Sequence, residues 1–146
     1  MTTPPDIARR RHTHARRHAR RLAMQALYQW QLTGYGAKDI LSQYSDDPET
    51  ERADWEYFRR LLLGVTGEVL RLDALIAPYL DRPMEQVDPV ERAVLRLAAY
   101  ELHHCPELPF KVVINEAVAL AKKYGAEQGH RFVNGVIDKV AAGVRR

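Results

Sequence analysis

Three groups of side chains in this chain have the chemistry to act on another molecule. The first is a run of arginines: Arg9, Arg10 and Arg11, then Arg16, Arg17, Arg20 and Arg21. A guanidinium is a permanent cation whose planar fork of donors grips a phosphate with two bonds at once. Tyr28 continues the helical line of Arg17, Arg21 and Met24 at steps of four, three and four. An aromatic ring in line with cations is the combination that single-stranded RNA needs, a phosphate grip beside a stacking platform. A run of charges can also be a merely solvated face, but such faces interleave both signs, and this run is almost purely Arg.

The second group is histidine. His12, His14 and His18 lie in the same segment, and His103, His104 and Cys105 lie together further on. A metal needs several converging ligands and a supporting shell. His14 and His18 are one helical turn apart with no third ligand evident, and the second group reads as capping beside Pro106. No metal site is expected. The third feature is Phe132, offset toward the edge of the last apolar arc beside His130 and Arg131. Such a ring either packs in the core or stacks on a base.

No catalytic constellation accompanies these groups. There is no GxSxG, no phosphate-cradling glycine loop after a strand and no CxxC pair. Glu101 falls on the most apolar arc of its helix, where a structural hydrogen bond is the expected role. Catalytic residues and cofactors are therefore expected to be none.

Charge is distributed unevenly. Met1 to Lys38 holds seven Arg and one Lys against Asp6, a net of +7, whereas Asp39 to Arg146 carries a net of −4. The overall +3 hides that asymmetry, which concentrates a polyanion at one end. At 146 residues the chain can bury a core without disulfides or metal. A lone Cys105 fits a reducing cytosol, and no apolar run approaches the ~20 residues of a membrane span. A cytoplasmic protein with no membrane partner is expected.

The elements that must position these groups are helical throughout. The first helix is expected from near His14 to Thr33, ending at Gly34 and Gly36, with Ala19, Ala23, Ala26 and Trp30 on its packing face. A short helix follows around Lys38 to Tyr44, then the acidic SDDPETE loop. From Asp54 to Leu80 the pattern fits one long helix or two abutting ones, with Gly64 a point of close helix contact. Asp88-Pro89-Val90-Glu91 is a strong helix start: N-cap, first-turn proline, and a glutamate able to return to the cap. The helix after it is apolar on nearly every side and belongs at a bundle centre. Two more helices, Lys111 to Tyr124 and from about Gln128, complete an all-α compact bundle of about six to seven helices. Residues 1–13 read as a flexible basic N-terminal arm, and 14–146 as a single all-helical RNA- and protein-binding domain.

RRHARRLAMQALYQWQL, VERAVLRLAAYEL, and the INEAVALAKKYG and FVNGVIDK blocks occur here in that order. Together they resemble the NusB family of bacterial transcription antitermination factors across essentially the whole chain. The resemblance implies a non-enzymatic NusB-like helical protein. It implies binding of single-stranded boxA RNA in nascent ribosomal RNA as a heterodimer with the ribosomal protein NusE, and action on the elongating RNA polymerase with other Nus factors. Matched residue by residue, the RNA-contacting positions fall on Arg16, Arg17, Arg20, Tyr79, Arg131 and Phe132. Tyr28 and Glu91 fall on positions tied to the NusE contact, so Glu91 has two readings, cap or partner. The chain departs from the family pattern at His18, where Arg is common, and at Arg21, where an acid is usual. An alternative of another class is a helical RNA-substrate-binding or adaptor module of an rRNA methyltransferase-like system. The missing nucleotide-cofactor fingerprint weighs against it.

Overall fold

The computed structural model describes residues 4–145; residues 1–3 of the expected arm and residue 146 lie outside them. Among the described residues there are seven α-helices and no strand, the expected all-α class. They fall into two compact units, one running to Leu63 and the other from Gly64.

In the first unit, α1 (Pro5–Thr33) starts earlier than the expected His14, running through the segment read as an arm. Pro5 suits the opening turn because its missing N–H would have no helical partner there, and Asp6 adds the acid that an N-terminus favours. Gly34, at φ 73°, ends the helix in the left-handed region. Ala19, Leu22, Ala23, Ala26 and Leu27 on α1 are fully buried. The short α2 (Ala37–Ser45) buries Ile40. The acidic loop is more ordered than expected: Asp47 accepts from the Glu49 N–H at 2.9 Å and starts a 3-10 turn, Pro48–Arg52. That turn packs against α1. Asp54 then joins α1 to α3 (Trp55–Gly67). Its N–H donates to the Ala15 carbonyl at 3.0 Å, while its carboxylate accepts from the Tyr57 N–H at 3.1 Å.

The 54–80 pattern resolves into two helices, α3 and α4 (Val69–Ile76), broken at Glu68. In the second unit, α5 (Pro89–His104) is buried along most of its length and packs against α4, α6 (Phe110–Tyr124) and α7 (Gly129–Val144). Asp88 caps α5 as expected, accepting from the N–H groups of Val90 at 3.0 Å and Glu91 at 3.2 Å. Gly64 does mark a close approach: a Cβ there would collide with the Tyr100 ring. Arg96, buried within α5, forms a two-pronged pair with Asp73 at 2.9 and 2.8 Å. Glu101 is buried too, at 2% exposure. No described helix is long and apolar enough to cross a membrane.

Candidate nucleic-acid interface

Because α1 is helical from Pro5, the arginine run lies along one continuous helix. Beside the 3-10 turn lies an open groove of about 840 Å³. Five arginines line it (Arg9, Arg10, Arg11, Arg17 and Arg52), with His14 and His18, and no acid does. The helical steps from Arg10 to His14 to His18 and from Arg9 to Thr13 to Arg17 put these side chains in two adjacent rows along the helix. The rings of His14 and His18 meet edge-on, centroids 5.8 Å apart. His18 titrates below the ordinary histidine range because burial disfavours its cation and Arg21, His14 and Arg52 repel it. Arg21 turns to Glu49 at 3.3 Å, so its charge is partly spent within the protein.

The three arginines implied by the family resemblance differ in their surroundings. Arg17 is exposed in the groove. Arg16 is half-buried, its guanidinium 4.3 Å from the centre of the Tyr57 ring and 3.8 Å from Asp54. Arg20 is 4% exposed, with its guanidinium 5.6 Å from the same ring. Tyr57 thus holds two arginines on the underside of α1. Burial at that level leaves Arg20 almost wholly out of contact with solvent. No signal near Tyr57 singled it out in the sequence, because the contact joins residues nearly forty positions apart.

In the second unit, Arg131 is exposed and Phe132 half-buried at the start of α7. The guanidinium of Arg82 stacks over the Phe132 ring at 4.7 Å, and Asp81 accepts from Arg82 at 2.7 and 3.1 Å. Phe132 is therefore an edge ring with a cation already on one face. Tyr79, in the 3-10 turn Ala77–Tyr79, does not join it. Its hydroxyl lies against Gly143, 3.3 Å from where a Cβ would stand. About 16 Å of helix axis separates Gly143 from Phe132, at ~1.5 Å per residue, so the two rings lie toward opposite ends of α7.

The two residues read as partner contacts also separate. Tyr28 is 39% exposed, and the last turn of α1 leads from it to the exposed Leu32 and Tyr35, which the sequence reading did not select. Glu91 is 5% exposed and points inward. Its carboxylate accepts from the Ala126 N–H at 3.3 Å, in the connection between α6 and α7. Gly129 is held so close that a Cβ would stand 2.5 Å from Glu91 Oε1. Glu91 thus reaches both the cap residue Asp88 and the α6–α7 connection. Burial and a hydrogen bond with Asp88 push the Glu91 carboxyl above the ordinary range, against the pull of the Ala126 N–H. Among the described residues, no three His, Cys, Asp or Glu side chains converge as a metal site would need.

Known proteins resemble this chain in sequence and fold. The NusB family model matches residues 17–142. The transcription antitermination protein NusB of Shewanella piezotolerans is 53% identical over 127 residues, covering 87% of this chain and 94% of that protein. The NusB of Idiomarina loihiensis is 52% identical over 125 residues, 86% of this chain and 90% of that protein. Among solved structures, T. maritima NusB superposes with a TM-score of 0.77 at 32% identity, covering 97% of this chain and 93% of that one. A chain from a crystal structure of antitermination factors NusB and NusE in complex with dsRNA gives 0.73 at 26% identity, covering 87% and 96%. The family match over residues 17–142 and the identity to these relatives along most of the length show that this chain belongs to the NusB family.

Proposed function

We propose that the chain is a non-catalytic transcription antitermination factor acting in the cytoplasm. It binds the single-stranded boxA element of nascent ribosomal RNA together with NusE, and with other Nus factors it acts on the elongating RNA polymerase. The observation that carries this reading is the exposed Arg17 on the arginine-bearing α1 of a NusB-family chain. Support for the partners comes from the similar chain solved with NusE and RNA.

The roles divide by exposure. Arg17 and the outer part of Arg16 grip phosphates, and Arg20 is a positioning residue that fixes α1 to Tyr57. Phe132 takes a base on the face opposite Arg82, and Arg131 supplies a neighbouring charge. Tyr79 serves a different nucleotide from Phe132. Tyr28, with Leu32 and Tyr35, offers NusE an exposed apolar strip.

Titration of labelled boxA RNA, with and without NusE, across a range of salt tests the reading. Affinity should fall steeply with salt, since each neutralised phosphate of a single strand adds about 0.7 to the slope of log K against log salt. NusE should tighten binding. Salt-independent affinity, or equal affinity for a scrambled RNA in the presence of NusE, would overturn it. Changing Phe132 to Ala should cost ~1–3 kcal/mol of RNA affinity if the ring carries a base, with the thermal midpoint measured alongside to exclude a core role.

A further inference from the structure

The part of α1 before residue 17 lies outside the family match, yet it supplies most of the groove. Arg9, Arg10 and Arg11 come from the first turns of α1, and Arg52 closes the opposite wall from the end of the 3-10 turn. All four are exposed, and among the described residues none of them has an acidic partner. Arg21, by contrast, is engaged by Glu49. Four exposed guanidinium groups lining one open groove make it a surface that attracts anions. Its volume of about 840 Å³ exceeds what a single phosphate would fill, and most of its lining is arginine and histidine. That pattern fits a chain of evenly spaced anions lying along the helix.

We propose that this groove is a second RNA site, a backbone clamp that holds the phosphodiester chain flanking the boxA element. It rests on the RNA-binding reading above and extends it. Arg16 and Arg17 grip the recognised element, and Arg9, Arg10, Arg11 and Arg52 grip its neighbour without reading bases. Phosphate contacts fix register and add affinity while carrying no sequence information of their own. The clamp therefore adds affinity for longer RNA of any flanking sequence and leaves selection of boxA unchanged. The ordered Asp47-capped turn matters here because it fixes Arg52 against α1.

The test compares wild type, the triple variant Arg9→Ala/Arg10→Ala/Arg11→Ala, and Arg52→Ala on two RNAs. One is a minimal boxA oligonucleotide; the other carries unstructured flanks at both ends. Wild type should bind the flanked RNA more tightly and with a steeper salt slope. The triple variant should lose that gain, its slope becoming shallower by about 2 (roughly 0.7 per phosphate contact), while its affinity for the minimal RNA holds. Arg52→Ala should lose about a third as much. Circular dichroism of the triple variant separates a lost contact from a frayed helix: unchanged helicity with a lost gain supports the clamp. A second triple variant with Lys at all three positions should restore most of the slope, because it restores charge without the fork. Equal slopes for wild type and the alanine variant on flanked RNA would overturn the clamp, and minimal boxA binding would still stand. Failure of wild type to prefer minimal boxA over scrambled RNA would instead overturn the function on which it rests. Vesicles containing phosphatidylglycerol form a third arm. Binding to them that the triple variant loses, with flanked-RNA binding unchanged, would assign the groove to lipid phosphate and reject the clamp.

Discussion

Arg17 and Arg20 are three residues apart and of one type, yet their surroundings assign them different work. Arg17 lies open in the groove, whereas Arg20 is buried beside Tyr57. Arg17→Ala should reduce the RNA salt slope by about one phosphate contact, ~0.7. Arg20→Ala should lower stability first, by ~1–2 kcal/mol, through lost packing of its stem and its contact with the ring. Thermal melts run beside RNA titrations check both; an Arg20 variant with intact stability and weak binding would make Arg20 a direct contact. Glu91 carries a pH signature. Its carboxyl titrates above the ordinary range in the folded protein because it is buried. A raised folded-state value favours the protonated form, so its contribution to stability is complete at acid pH and is lost as pH rises through that value. Glu91→Gln mimics the protonated form and can still accept from the Ala126 N–H. The variant should match or exceed wild-type stability near pH 7, and its melting midpoint should vary less between mildly acid and neutral pH. A Gln variant with unchanged pH dependence that fails to bind NusE would return Glu91 to the partner surface.

At the scale of elements, helix ends and close approaches decide how the residues are presented. Pro5 and Asp6 open α1, and Gly34 closes it. This sets a run of charges along one continuous helix. Asp88 secures α5, leaving Glu91 to reach the α6–α7 connection, whose last residue before α7, Gln128, sits at φ 65°. That connection precedes Arg131 and Phe132, so its order fixes the start of α7. Gly64 lets α3 meet Tyr100 of α5. Gly64→Ala should destabilise the protein by ~1–3 kcal/mol, since the aromatic ring is packed in a buried helix and cannot swing clear. Chemical denaturation measures this directly. A cost under about 0.5 kcal/mol would mean that the approach is looser than the structure shows. The acidic loop illustrates why element order was hard to read. Its composition resembles solvated coil, but a single Asp47 cap makes it a turn, and only that turn brings Arg52 to α1.

For the molecule as a whole, charge asymmetry along the sequence becomes a kinetic property. A concentrated cationic face steers a polyanion to itself, and the effect weakens as salt shortens the Debye length. The association rate with labelled RNA, measured by stopped flow, should fall about tenfold or more between roughly 50 and 200 mM salt. A salt-insensitive association rate would show that the arginine face does not guide encounter. The helical class and the cap at Asp88 were readable from the sequence, and Gly64 was readable as a close approach though not its partner Tyr100. Class and cap depend on residues within a few positions of one another, where propensity, capping chemistry and 3.6-residue periodicity act directly. The line of Arg17, Arg21, Met24 and Tyr28 was not kept open, because Met24 is buried and Arg21 pairs with Glu49. The order of family-like blocks added the identity of the fold. What tertiary structure decided was which of those side chains remain available. Tyr57 takes Arg16 and Arg20, Arg82 covers one face of Phe132, Gly143 receives Tyr79, and the α6–α7 connection takes Glu91. Each of these pairings spans a long stretch of chain. Local pattern names a side chain's chemistry, but burial and distant neighbours determine whether that chemistry faces inward or meets a partner.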